Sequence, residues 1–317
     1  MQTGTKQSNS TLRLGSRASK LALWQTEFTQ ELLQKFYPEM SFEIETITSR
    51  GDKILDTPLP LIGGKGIFTD ELESGLSSGT IDLAVHSLKD LPTECSPGLT
   101  IGAIPKRAPA FDVLVSRKGY TLEKLPVGAR VGSTSFRRTS QVLYKRPDLR
   151  MESIRGNVET RVRKALDREG IYDAIILAFA GLERLGLEDV ISEVLSFEQM
   201  LPAPGQGALG IQCRDEESMA SILATINDLE TQLATTAERA FLTGLGGGCS
   251  LPIAAFARFE NDALFLRGRV IAQDGSSIIE VDKRQSVQLV DDAYKIGIEL
   301  AQKAIGLGAN ELLKVET

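Results

Sequence analysis

Apolar positions along the first two thirds of the chain recur in two rhythms that take turns. Residues 11–15 form a short strand broken at Gly15, and a helical spacing follows from about 18 to 36, stopped by Pro38. Residues 42–48 alternate apolar and polar as a strand does, 68–76 return to helical spacing, and 81–85 form a buried-type strand running into His86. The same grammar restarts after Ile104-Pro105-Lys106-Arg107. It predicts strands at 112–116 and 130–132, a helix at 133–144, a strand at 151–154, a helix at 158–168 and an apolar strand at 174–178. Strands alternating with helices predict an α/β architecture of parallel or mixed sheets with helices on both faces. The Pro-rich stretch 201–205 is expected to cross back to the first unit and enter a strand at 208–213. Beyond it the pattern becomes α+β: a helix at 231–242, a glycine-rich loop, and three strands at 253–259, 263–272 and 277–282. Asn261-Asp262 and Asp274-Gly275 mark the turns between them, and a helix at 291–305 follows.

Composition narrows the class. At 317 residues, 42% hydrophobic and 25% charged, the chain is globular and too long for one compact domain. The longest apolar run, 174–182, is far short of the roughly 20 residues that span a bilayer. The first ten residues are polar and lack the apolar stretch of a secretory signal, so the expected compartment is the cytosol. Three cysteines (Cys95, Cys213, Cys249) without a CxxC pair argue against a disulfide framework or a structural zinc site. A single histidine, His86, excludes any site built on two imidazoles, and no metal is expected.

Net charge is −6, yet its distribution is uneven. Between Arg130 and Arg168 eleven Lys or Arg face four acids, a local surplus of seven positive charges. Arginine dominates, which suits bidentate clamping of carboxylate or phosphate. Gly132-Ser133-Thr134-Ser135 precedes Arg137-Arg138, Arg155-Gly156-Asn157 precedes Arg161, and Gly15-Ser16-Arg17-Ala18-Ser19 repeats the arrangement. Helix N-termini favour anions. Three such turns point to one ligand with many negative groups held between two domains, against the alternative of ordinary caps and solvated faces. Gly63-Gly64-Lys65-Gly66 lacks the Walker ending and reads as a glycine-rich flap with one cation. Asp90, in His86-Ser87-Leu88-Lys89-Asp90-Leu91-Pro92, falls at the carboxyl end of a strand, where ligands of open α/β sheets collect. It is either a proton-handling carboxylate or a turn cap. Cys249, between three glycines and Leu251-Pro252, is a loop thiol open to covalent attachment. Cys95 reads as an exposed loop thiol and Cys213 as a buried strand residue.

These pieces, taken in order, resemble the porphobilinogen deaminases (hydroxymethylbilane synthases) of tetrapyrrole biosynthesis. The resemblance is carried by the 15–25, 63–68 and 84–92 segments, by Gly132-Ser133-Thr134-Ser135-Phe136-Arg137-Arg138, and by Arg155-Gly156-Asn157-Val158-Glu159-Thr160-Arg161. The 177–186 and 201–208 segments and the cysteine loop complete it, collinear from Leu14 onward. It implies two lobes similar to those of periplasmic binding proteins, with mixed sheets and the site in their cleft, plus a small C-terminal α+β domain carrying a cofactor cysteine. The expected limits are 11–104 with 205–225, 105–204, and 226–317. The implied reaction condenses four porphobilinogen molecules head to tail with loss of ammonia, then frees hydroxymethylbilane by hydrolysis. The implied cofactor is a dipyrromethane in thioether linkage to Cys249. Asp90 matches the family's catalytic aspartate. Arg17, Arg137, Arg138, Arg155, Arg161 and Arg184 match its arginines that bind the acetate and propionate groups or take part in chain growth. Ser19, Lys89, Ser133 and Ser135 match its cofactor or substrate contacts, and Lys65 a lysine on a mobile loop over the cleft.

The chain departs from the family in places. Arg107-Ala108-Pro109-Ala110-Phe111-Asp112 stands where Arg-Glu-Asp-x-Arg-Asp is usual, Leu61 replaces a lysine, and Phe179 a small residue. Two rival readings are a non-catalytic two-lobed solute-binding protein and nucleic-acid binding through the 130–168 patch. The Cys249 loop weighs against the first, and the charge of −6 with 6% aromatic content against the second. The expected partner is the small-molecule substrate, with neither nucleic acid nor membrane, and nothing in the sequence demands more than a monomer.

Overall fold

The computed structural model describes residues 11–48, 69–248 and 251–314. Strand β1 (Thr11–Arg17) leads through α1 (Lys20–Phe36) to β2 (Ser41–Ile47); α2 (Asp70–Ser78), β3 (Leu83–Ser87) and β4 (Leu99–Ala103) follow. The chain then crosses to a second sheet made of β5 (Asp112–Ser116), β6 (Arg130–Gly132), β7 (Arg150–Glu152), β8 (Ala174–Ala178) and β9 (Glu193–Leu195). Helices α3 (Phe136–Lys145), α4 (Val158–Leu166) and the short α5 (Phe179–Glu183) cover it. It returns with β10 (Leu209–Arg214) and α6 (Glu217–Leu223). Helix α7 (Leu229–Gly244), the meander β11 (Ile253–Glu260), β12 (Ala263–Ile271) and β13 (Ile278–Gln285), and helices α8 (Val290–Gly306) and α9 (Ala309–Leu312) come last.

The two five-stranded sheets share one plan. Their orders are β2-β1-β3-β10-β4 and β7-β6-β8-β5-β9. In each, three parallel strands meet an antiparallel strand delivered by a crossing segment, β10 in the first and β5 in the second. The central strands are apolar on both faces. Leu114 and Ile176 enter one core while Val113, Val115, Ile175 and Leu177 enter the other, as expected for a sheet covered on both sides. Gly15 is required where β1 passes helix α2, because a Cβ there would lie 2.3 Å from the Ile81 methyl.

Several elements differ from the pattern reading. Helix α3 starts at Phe136 rather than Ser133, because Ser135 is extended and serves as its N-cap. Strands β4 and β9 and helices α5 and α6 have no counterpart in that reading. Between β11 and β12, Asn261 and Asp262 both take positive φ (47° and 61°), the backbone of a tight hairpin that their side chains tolerate.

The two crossing segments lie against each other. Ala108 N–H donates to Gly207 O at 3.2 Å, and a Cβ on Gly207 would sit 2.4 Å from the Ala108 carbonyl. Arg107 donates to Gln206 O (2.7 Å) and, through both terminal nitrogens, to Glu238 on α7 (2.6 and 3.0 Å). Glu238 is fully buried and also accepts from the amides of Gly205 (2.7 Å) and Ala257 (2.8 Å), so one carboxylate joins both crossings to the C-terminal sheet. Phe111 stacks on Phe197 at 4.5 Å, and Phe197 on Phe256 at 4.2 Å, with the Arg107 guanidinium over the Phe256 ring. At Phe111, therefore, aromatic packing stands where the family usually has a charge. Glu238→Ala strands the Arg107 charge and two amides. It is expected to lower the unfolding free energy by about 3–5 kcal/mol, read from denaturant midpoints.

Candidate functional site

Strand β3 ends in a single 3-10 turn, Leu88–Asp90. Leu88 and Leu91 point inward against Ile104 and Ala208, and Leu88 N–H donates to Ala208 O at 3.0 Å. With the apolar pair committed inward, Asp90 is left exposed. It borders a cleft open to solvent, together with Arg17, Ser19, Gln25, Thr69, His86 and Ser87. Arg17 ends β1, and Ser19 caps α1 by accepting from Ala22 N–H at 3.3 Å. Gln25 reaches across from α1 to the Ser87 hydroxyl (2.9 Å). His86 is 6% exposed, and its Nε2 has no hydrogen-bond partner among the described residues. Burial lowers it to about 4, against a favourable Gln212 and with Arg17 adding to the drop, so the imidazole is neutral at neutral pH.

The second sheet supplies cations. Arg137 and Arg138, in the first turn of α3, are buried and share the fully buried carboxylate of Asp112 at 2.7 Å each. Arg137 also donates to Leu201 O and Arg138 to Ile176 O, while Arg137 Nε has no partner among the described residues. Although Asp112 is buried, its two arginines, with Lys89 adding, hold its carboxyl down at about 2. Lys89 donates to Gln206 Oε1 at 3.2 Å. Its side chain is half-buried beside the crossing segment that carries Gln206. Burial, reinforced by Arg138 and Arg137 and opposed by Asp90 and Asp112, brings it down to about 8. Arg161, on α4, donates to Gly156 O at 2.7 Å. It is lowered to about 10 by burial first and then by Arg138 and Arg155, with Asp90 opposing. Arg138 thus acts on both Lys89 and Arg161, and Arg155 on Arg161, with Asp90 opposing at each, a repulsion that marks a surplus of positive charge.

The remaining site residues fall around this cluster. Ser133 accepts from Ser135 N–H at 3.2 Å, and the Ser135 hydroxyl takes no part in capping α3. Arg184 is engaged apart from the Asp90 cluster, donating to Gly207 O at 2.7 Å with its guanidinium over Trp24 of α1. Lys20 and Glu159 form a further link between α1 and α4 at 3.6 Å. Cys249, Lys65 and Leu61 lie outside the described residues. Cys95 is half-buried, not the exposed thiol expected, and burial raises it; burial pushes Cys213 up to about 11. No group of three His, Cys, Asp or Glu able to hold a metal occurs among the described residues, and no described helix is long and apolar enough to cross a membrane. Sequence reasoning does not find Asp112, Glu238 or Arg239. The one local signal for the last two is an adjacent acid–base pair inside the otherwise apolar stretch Leu233, Ala234, Ala237, Ala240, Phe241.

Residues 12–221 match the family model described as "Porphobilinogen deaminase, dipyromethane cofactor binding domain", and 232–306 match "Porphobilinogen deaminase, C-terminal domain". The chain is 47% identical over 304 residues to a porphobilinogen deaminase of Roseiflexus sp. (strain RS-1), covering 96% of this chain and 98% of the relative. It is 48% identical over 304 residues to that of Chloroherpeton thalassium, covering 95% and 96%. Among solved structures, the alkanesulfonate-binding protein SsuA of Xanthomonas axonopodis pv. citri aligns over 73% of each chain at 17% identity, with a TM-score of 0.36.

Proposed function

The chain belongs to the porphobilinogen deaminase family, and from that premise we propose which of its residues carry the reaction. The activity is that of a hydroxymethylbilane synthase, a transferase of tetrapyrrole synthesis. It joins four porphobilinogen molecules head to tail with loss of ammonia on a dipyrromethane, then releases the linear product by hydrolysis.

The observation that carries the residue assignment is the surplus of cations around one exposed carboxylate. Every pyrrole of substrate and product bears an acetate and a propionate. Arg138 repels both Lys89 and Arg161, Arg155 repels Arg161, and anionic side chains relieve that repulsion. The donor set therefore fits a polycarboxylate, the dipyrromethane included. When bound, the dipyrromethane supplies the nucleophilic pyrrole carbon at which the chain grows, and Cys249 is its attachment point by thioether. Arg155, Arg161, Lys89, Arg17, Ser19, Ser133 and Ser135 bind the acetates and propionates. Arg137 and Arg138 spend part of their charge on Asp112 and offer the rest to the same groups. Arg184 joins this set from the Trp24 side, and Lys65 adds a further cation. Asp90 stabilises the cation left when ammonia departs and accepts the proton released as the new bond forms. The domain limits fall at 11–104 with 205–225, 105–204 and 226–317. The protein acts as a cytoplasmic monomer on its small-molecule substrate, with no nucleic-acid or membrane partner.

Intact denatured mass tests this reading. The expected increment is two porphobilinogen units less two ammonia. A mass that stays that of the bare polypeptide even after incubation with porphobilinogen would overturn it. Lys89 adds a pH signature. Its ammonium loses its proton on raising the pH through about 8, well below the usual lysine range, so carboxylate binding weakens above that point. kcat/KM for porphobilinogen should fall by up to about tenfold per pH unit on the alkaline side, and Lys89→Arg should remove that limb because a guanidinium keeps its charge.

A further inference from the structure

Helix α7 carries Glu238 and Arg239 side by side, and the two reach different parts of the protein. Glu238 holds the crossing segments. Arg239 donates through Nη1 to Leu88 O (3.2 Å) and Leu91 O (3.1 Å), and through Nη2 to Pro92 O (2.5 Å). These are three carbonyls of the turn that bears Lys89 and Asp90. The turn lies beyond the end of β3, outside the sheet ladder, and Pro92 has no N–H to donate. Its own backbone bond is Leu91 N–H to Leu88 O at 3.2 Å. Beyond that bond the carbonyls of so short a helix have no helical partner, and a planar guanidinium supplies several donors in fixed relation. One side chain therefore ties together three carbonyls of a turn otherwise held by its Leu88 and Leu91 packing and the Leu88 N–H bond to Ala208 O. It does so from the helix that ends at Gly244, five residues before Cys249.

We propose that Arg239 is a positioning residue for Asp90: it fixes the orientation of that carboxylate from the element leading to the cofactor cysteine. The inference rests on Asp90 being the catalytic carboxylate. A misplacement near 1 Å costs about a hundredfold in rate, so loss of the fork reaches the reaction without touching the substrate.

The test is a double-mutant cycle on holoenzyme whose dipyrromethane content is verified by intact mass. Arg239→Gln should lower kcat at least about tenfold with KM changed by less than about threefold and the mass increment retained. In an Asp90→Asn background the same substitution should lower the residual kcat by less than about twofold, because there is no longer a carboxylate to position. Arg239→Lys keeps the charge but not the fork, and should recover part of the loss only in the chain that retains Asp90. It also carries the cycle if the glutamine variant does not fold. A full Arg239→Gln effect persisting in the Asp90→Asn background, or wild-type kcat in Arg239→Gln, would overturn the proposal. Wild-type kcat in Asp90→Asn alone would instead overturn the assignment of Asp90, which that single variant reports on independently.

Discussion

Replacing Cys249 with serine is expected to leave a chain that carries no dipyrromethane and does not turn over porphobilinogen. Thioether formation needs a sulfur nucleophile, and a serine hydroxyl without an activating base is a far weaker one at neutral pH. Nothing else among the described residues substitutes for it. Cys213 is 1% exposed and raised to about 11 by burial, and Cys95 is half-buried and raised for the same reason, so both stay protonated. The mass of Cys249→Ser should equal that of the bare polypeptide before and after incubation with porphobilinogen. kcat should drop by more than about three orders of magnitude, the scale seen when a covalent centre is removed. Wild-type turnover in this variant would remove the covalent attachment from the account.

Where the chain's local pattern is strong, the structure can be read from it. Strands β5 and β8 begin and end at the residues expected: β5 is a Val-Leu-Val run flanked by Asp112 and Ser116, and β8 is the β-branched, apolar stretch that starts after Asp173. Strand β4 is not legible. Its sequence, Leu99-Thr100-Ile101-Gly102-Ala103, buries fully only its two ends, and it becomes a strand by pairing with β10 more than a hundred residues later. The cleft divides in the same way. A local excess of arginine and the glycine–serine turns are visible along the chain, and so is a carboxylate after a strand. Which cations turn to a ligand and which to a protein carboxylate is decided by long-range partners. Asp112 meets Arg137 and Arg138 from across the sheet, Arg107 meets Glu238 across 131 residues, and Arg239 meets the Asp90 turn across about 150. An isolated acid at the start of a strand carries no mark of such a partner. The Arg107–Asp112 segment adds a further case. Measured against the family it looks like a loss of charge at three positions, and the structure answers one of them, Phe111, with its stack on Phe197, which in turn packs on Phe256.

Asp90→Asn is expected to keep its dipyrromethane mass while kcat falls by about 10²–10⁴, the usual range for removing a positioned proton-transfer group. Asparagine preserves shape and hydrogen-bonding reach, so the change isolates charge and proton affinity. The neighbouring groups do not take over. Asp112 is held near 2 by two arginines and is fully buried, and His86, near 4, is too weak a base to take a proton at neutral pH. Substrate capture should survive, because the acetates and propionates are met by cations that the substitution leaves in place. A second consequence has a definite sign. Asp90 is one of the two carboxylates that favour the Lys89 ammonium, and it also favours the charged form of Arg161. Removing it leaves Arg138 and burial less opposed, so Lys89 should lose its proton below its present value of about 8. The alkaline fall in kcat/KM should move to lower pH in Asp90→Asn, while in Arg239→Gln, where the carboxylate is retained, it should stay close to its original position. A variant that turned over at the wild-type rate, or whose alkaline limb moved upward, would separate Asp90 from the chemistry and from Lys89 respectively.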